Sequence, residues 1–311
     1  MDRVARTAAP PRPHGFATSI ALAGFLALPA HAGADLNAFA VALPDTGVFA
    51  PVASQLKERA TRLAAMPAAD ATPERLMLLL ESGRHEEAAR LLPRLTGDGE
   101  AEWVARARVA LAVQDFVGAA PMLERIAAMN GPEARATRFL WEFARDASAT
   151  VDSLSRARLA VEPDAVPELL AAGRLAYNLL DYPRTDSLAA RVLAAVGSRT
   201  PGAASESMPA ARLGEARARA AAHTLRALVL QKRRDWDGAL AESRLALGEN
   251  PSHEALEVLS GALIRLGRTD EAISAGEWGV RLNPYSDASH YLLGNGYARK
   301  NYTQLAAAYP S

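Results

Sequence analysis

From His253 to Pro284 the apolar residues fall at helical steps. Leu256, Leu259, Leu263 and Leu266 are separated by three and four residues, which sets them on one face of a helix. Gly267 predicts its end, because glycine tolerates the left-handed conformation of a helix C-cap. Asp270 is placed to cap a second helix. In that helix Ala272, Gly276 and Gly279 are small and share a face, which lets a neighbouring backbone come close. Leu282 adds a last apolar contact, and Pro284 stops the helix. The stretch predicts two short antiparallel helices.

The same pattern returns along the chain at a spacing of about 31–34 residues, the period of a helical solenoid. Ala239 in RDWDGAL corresponds to Ala272, and LALGENP closing at Pro251 corresponds to VRLNP closing at Pro284. The following unit has His290, Leu293, Gly294 and Tyr297 at first-helix positions, followed by Ala306. Upstream, Val52, Leu56, Leu63 and Met66 predict a first helix over 52–66, and Thr72-Pro73-Glu74 reads as a cap followed by Pro at N1. Four more helix pairs follow. Leu76, Leu79 and Leu80 lead into the turn at Gly83. Trp103, Ala107 and Ala110 lead into DFVGAA at Asp115. Phe139 and Phe143 precede Val151 and Leu154. Leu169, Leu175 and Leu179 precede Leu188, Val192 and Val196. Gly197 to Ala210 is rich in Gly, Ser and Pro and is expected to be a loop or linker, either dividing the array or lying inside one long repeat. A long, Arg-rich helix from Ala211 to Lys232 comes next. The last unit stops at Ser311, before a full second helix.

These residues resemble the tetratricopeptide repeat family, clearest over 212–309 and more divergent over 74–197. The resemblance implies an all-α fold, a right-handed α-solenoid of antiparallel helix pairs wound as a superhelix. The expected organisation is an N-terminal leader and first helix over 33–73, divergent repeats over 74–197, the linker over 198–210, and repeats over 211–311. It also implies a protein or peptide partner in a groove lined by the first helices. The groove positions are then Glu254, Glu257 and Arg265 in one unit, Tyr291, Asn295 and Arg299 in the next, and Thr224, Gln231 and Lys232 in the one before. Tyr291 and Arg299 lead the set, because aromatic and arginine side chains dominate interface hot spots.

Charge and composition narrow the partners. The 311 residues carry 35 basic and 35 acidic side chains, which makes no electrostatic case for nucleic acid or an anionic membrane surface. Hydrophobic residues make up 50% but aromatics only 6%, so closely packed alanine-rich helices are expected. The absence of cysteine excludes disulfides, thiolate chemistry and thiolate metal sites. At the N-terminus, Arg3, Arg6 and Arg12 precede an apolar run from Phe16 to Leu28, and Ala30-His31-Ala32 fits a small-x-small cleavage site. This predicts a signal peptide over 1–32, a mature start at Gly33, a periplasmic or secreted protein, and no transmembrane span in the mature chain.

No catalytic constellation is visible, so neither catalysis nor a cofactor is expected. His223, His253 and His290 lie in successive units. Neighbouring helices pack 8–10 Å apart, whereas metal ligands share an ion at about 2 Å. His85-Glu86-Glu87 has Ala89 where a zinc-protease helix needs its second histidine. No phosphate-cradling glycine loop and no G-x-S-x-G is present. The expectation is an exported, non-catalytic scaffold of the bacterial cell envelope. Two alternatives stand beside it: the repeat region of a larger envelope protein, and a glycan-active enzyme on a helical scaffold, which would need two carboxylates facing each other in a pocket.

Overall fold

The computed structural model describes Pro44, residues 46–197 and residues 209–308. The expected signal peptide over 1–32, its cleavage site at Ala30, Ala32 and Gly33, and residues 198–208 of the expected linker lie outside the described residues. From Ala42 onward the chain forms one compact unit.

Among the described residues the structure is all-α and has no strand. A short 3₁₀ turn at Gly47–Phe49 leads into α1 (Ala50–Ala65). Six helix pairs follow: α2 (Pro73–Glu81) with α3 (His85–Leu91), α4 (Glu100–Ala112) with α5 (Phe116–Ala127), α6 (Pro132–Ala144) with α7 (Ser148–Val161), α8 (Val166–Asn178) with α9 (Tyr182–Gly197), α10 (Pro209–Lys232) with α11 (Trp236–Glu249), and α12 (His253–Arg265) with α13 (Thr269–Leu282). The last helix is α14 (Asp287–Ala308). Each even-numbered helix from α2 to α12 packs beside the next even one, up to α14. The even helices thus form one row and the odd ones a second, outer row, which is the layout of an α-solenoid.

The turn inside each pair is built the same way six times. Gly83, Gln114, Asp146, Leu180, Arg234 and Gly267 all have positive φ, between 55° and 76°. In each case the next residue's N–H returns to a carbonyl five residues earlier, as from Asp115 to Ala110 (2.9 Å) and from Arg268 to Leu263 (2.9 Å). This bond satisfies a carbonyl that the helix end leaves unpaired. Glycine takes the conformation freely, and the other four residues hold it at a cost of about 1–2 kcal/mol each. Asp115 and Asp235 then cap the second helix by accepting from Gly118 and Gly238 (both 2.9 Å).

Gly276 acts as expected, while Gly279 faces the Ser289 side chain and not a backbone. A Cβ on Gly276 would lie 3.1 Å from the Leu293 Cα, so α13 and α14 meet backbone to backbone. The array is also continuous across the expected linker. Leu188 and Val192 of α9 share a buried cluster with Ala222 and Leu225 of α10, and α10 begins at Pro209, inside the stretch expected to be loop. At the other end, α14 runs unbroken from Asp287 to Ala308. Ala306 therefore belongs to the same helix as Tyr297, not to a second helix. No Gly or Pro lies between those two residues to make the turn.

The two ends of the array meet, which the repeat pattern does not foretell. The first half of α1 places Phe49 and Val52 in the buried cluster of the last two pairs, with Leu247, Leu256 and Trp278. Its second half places Leu63 in the cluster of Leu76 and Leu79. Where the even helices converge, side chains distant in sequence form an ionic chain. Arg217 of α10 pairs with Glu81 of α2 and with Glu133 of α6 (3.5 Å). Arg108 of α4 pairs with Glu133 (2.7 Å), and Arg59 of α1 with Glu81 (3.6 Å). Burial holds Arg59 and Arg108 below the usual arginine value, against the pull of the facing carboxylates. Among the described residues no helix is long and apolar enough to cross a membrane.

Candidate binding cleft

Four even helices in succession, α8, α10, α12 and α14, line one open cleft. Its walls are Arg174, Tyr177 and Asn178 of α8, Leu228 and Gln231 of α10, Glu254, Glu257 and Val258 of α12, and Ala288, Tyr291 and Leu292 of α14. The volume is about 290 Å³. That is at the small end for a pocket that encloses a whole ligand, and it suits one or two side chains of a longer partner.

The repeat explains why these side chains converge. On α12, Leu256, Leu259 and Leu263 are fully buried, which leaves Glu254 and Glu257 on the open side. Gly261, also on α12, lets a neighbour lie flat. The Gln231 amide nitrogen sits 2.4 Å from where a Cβ would be, so any side chain there would push it away.

Most of the charge in the cleft is internally matched. Arg174 donates to Glu254 (3.1 Å). That guanidinium is the main reason the Glu254 carboxyl sits below its usual pKa; burial opposes the shift and His253 assists it. The Glu254 side chain is 47% exposed, so water screens the pair and its share in stability is small. Glu257 accepts from the hydroxyls of Ser286 and Ser289 (2.7 Å to the latter). Tyr291 is 68% exposed. At one edge the Lys232 ammonium stands 5.9 Å from the centre of the Tyr177 ring, within cation–π range.

Of the nine groove positions read from the repeat, the structure brings Gln231, Glu254, Glu257 and Tyr291 together and sets Lys232 at the rim. The other four are placed elsewhere. Thr224 is buried and donates its hydroxyl to the Ala220 carbonyl (2.8 Å). It lies on the same face as Gln231, but α10 is packed by α8, α9, α11 and α12 and has no open face there. Arg265 turns to the outer row, 5.6 Å from the Trp236 ring. Asn295 is half-buried on α14, one turn past the cleft. Arg299 donates to the Ile264 carbonyl (3.2 Å), and so caps the C-terminal end of α12. The wall from α8 was not foreseen. Arg174, Tyr177 and Asn178 are the polar complement of the apolar positions that define that helix, and its apolar positions alone gave no hint of them.

Among the described residues, the histidines of the successive units each find a separate partner. His223 bonds Glu242 (2.7 Å), His253 bonds Asn283 (3.3 Å), and His290 bonds the Pro284 carbonyl (3.0 Å). Among the described residues no three metal-ligating side chains are grouped to hold an ion.

No protein-family model matches the chain, and no curated protein matches it in sequence. Among solved structures it is similar to the assembly chaperone of RpL4 (Acl4), residues 1–338, at 16% identity, with a TM-score of 0.32 over 78% of this chain and 100% of that one. A likeness this distant has no bearing on function.

Proposed function

We propose that this chain is a binding scaffold of the tetratricopeptide type, and that the cleft between α8, α10, α12 and α14 takes a short extended segment of a protein partner. The observation that carries this reading is the convergence of four successive even helices on one open cleft, with Tyr291 exposed among its lining residues. An aromatic flanked by amides and a matched ion pair suits an extended peptide, whose main chain needs both donors and acceptors. Export to the bacterial cell envelope belongs to the same reading. It rests on the arginines, apolar run and cleavage pattern of residues 1–33, and N-terminal sequencing of the exported protein should begin at Gly33.

The glycan-active alternative is less well supported by the cleft. Such an enzyme needs one carboxyl held protonated at neutral pH, whereas Arg174 holds Glu254 below its usual range. The test is selection from a displayed library of random peptides against the purified chain. Enriched peptides should lose about tenfold or more in affinity for Tyr291→Ala, a hot-spot loss of at least about 1.4 kcal/mol, with melting unchanged. Undiminished binding would remove this cleft from the site.

A further inference from the structure

The first turn of α14 holds one carboxylate of the cleft by a single oxygen. The Ser286 and Ser289 hydroxyls both donate to Oε1 of Glu257, the second at 2.7 Å. Each serine is itself fixed. The Ser286 hydroxyl accepts from the Ser289 N–H (3.2 Å) and so caps α14. Ser289 is 1% exposed and sits against Gly279 of α13, where a Cβ would lie 2.9 Å from its hydroxyl oxygen. A side chain at position 279 would therefore displace the serine that orients Glu257. The other oxygen, Oε2, has no partner among the described residues and is not buried. Glu257 lines the cleft, so this oxygen is available to whatever enters it.

Charge sets Glu257 apart from the rest of the wall. Arg174 is committed to Glu254, and Lys232 stands over the Tyr177 ring. Glu257 is met only by neutral hydroxyls among the described residues. A neutral segment closing the cleft would strip water from this carboxylate and return no charge, which is unfavourable. An ammonium or guanidinium returns a charge-assisted bond. The rest of the lining suits such a side chain. Leu228, Val258 and Leu292 offer apolar wall to its methylene stem, and the exposed Tyr291 ring offers a face to its charge. We propose that the cleft is specific for a segment carrying one lysine or arginine, whose cationic head docks on Glu257 Oε2. This specificity rests on the cleft being the peptide site.

The probes are fluorescein-labelled peptides enriched from the random library against the full chain. Their basic position is made as arginine or as citrulline, its uncharged counterpart. The enriched peptides should share one lysine or arginine. Citrulline should cost the wild type about tenfold or more in affinity, and Glu257→Gln less than about twofold. Glutamine keeps an acceptor for both serines. If that variant does not melt cooperatively, a lysine-containing peptide is coupled to the wild type by a carbodiimide, and the adduct should map to Glu257. Peptides that lose affinity with Tyr291→Ala but share no basic residue overturn this proposal and leave the cleft as the site. An equal citrulline loss in Glu257→Gln, or adducts only at other carboxylates, overturns it in the same way. Binding untouched by Tyr291→Ala removes the cleft and this proposal together.

Discussion

A methyl group added to the Gly83 α-carbon would lie 1.9 Å from the carbonyl oxygen of Arg281. Gly83 is in the turn between α2 and α3, and Arg281 is in the last turn of α13, so the first and last helix pairs touch backbone to backbone. Gly83 also has φ +76°. Gly267 occupies the same place in its own turn at φ +74°, but nothing lies within 4 Å of its missing Cβ. The two glycines therefore separate conformation from contact. Gly267→Ala should cost about 1 kcal/mol, from the conformation alone. Gly83→Ala should cost about 3 kcal/mol or more, because the contact is lost as well. Urea unfolding of both variants checks this. Equal losses would mean that the two ends do not meet.

Leu180 and Arg234 hold the glycine conformation without being glycine, and both are exposed. Replacing either by Gly removes the strain and gives up little burial. Leu180→Gly and Arg234→Gly should each stabilise the chain by about 0.5–1 kcal/mol, less than the full strain because glycine also loosens the unfolded chain. Thermal melting should show a rise for each. A fall for both would contradict the turn geometry.

Arg217 and Glu81 are distant in sequence and paired across the centre of the array, with side chains 22% and 12% exposed. Groups in one buried network do not add independently. In a double-mutant cycle with Arg217→Met and Glu81→Gln, a coupling of about 1 kcal/mol or more is expected. Additivity to within about 0.5 kcal/mol would show that the pair does not form.

His85 lies buried at the same junction, its ring stacked on Tyr285 at 6.1 Å. Its Nε2 is 3.2 Å from the Leu80 carbonyl and so carries the proton; its Nδ1 is buried and has no hydrogen-bond partner among the described residues. Burial pushes the imidazole below the ordinary histidine value, the Leu80 carbonyl pulls the other way, and His253 adds a smaller push downward. The unfolded chain then binds a proton near pH 6.5 that the folded chain resists. The contribution of His85 is full above that pH and is lost as pH falls through 6.5 toward the lower folded value. Between pH 7 and 5 the wild type should lose more stability than His85→Leu. Equal slopes would place the ring in water.

Much of this architecture is legible in the sequence because its causes are local. Leu256, Leu259 and Leu263 announce a helix face, Gly267 a turn, and Gly276 a close approach of backbones, and each is found in that role, whereas Gly279 makes room for the Ser289 side chain. What is not legible depends on residues far apart in the chain. The seating of Phe49 beside Trp278 leaves no periodic trace, and neither does the pairing of Arg217 with Glu81. The cleft falls between these cases. Gln231, Glu254, Glu257 and Tyr291 follow from position in the repeat, but Thr224 and Arg299 do not reach the cleft. The packing of α10 buries Thr224, and Arg299 finds a carbonyl at the end of α12. Position within a repeat specifies a face, and the neighbours decide whether that face is open.

The most direct measurement of the central claim is site-specific photocrosslinking to a selected peptide. Benzoylphenylalanine is placed at Tyr291, in the cleft, or at Leu245, which is exposed on the outer helix α11. The account predicts a covalent adduct with the peptide from position 291 and none from 245. An adduct from 245 with none from 291, while the peptide still binds, would contradict it.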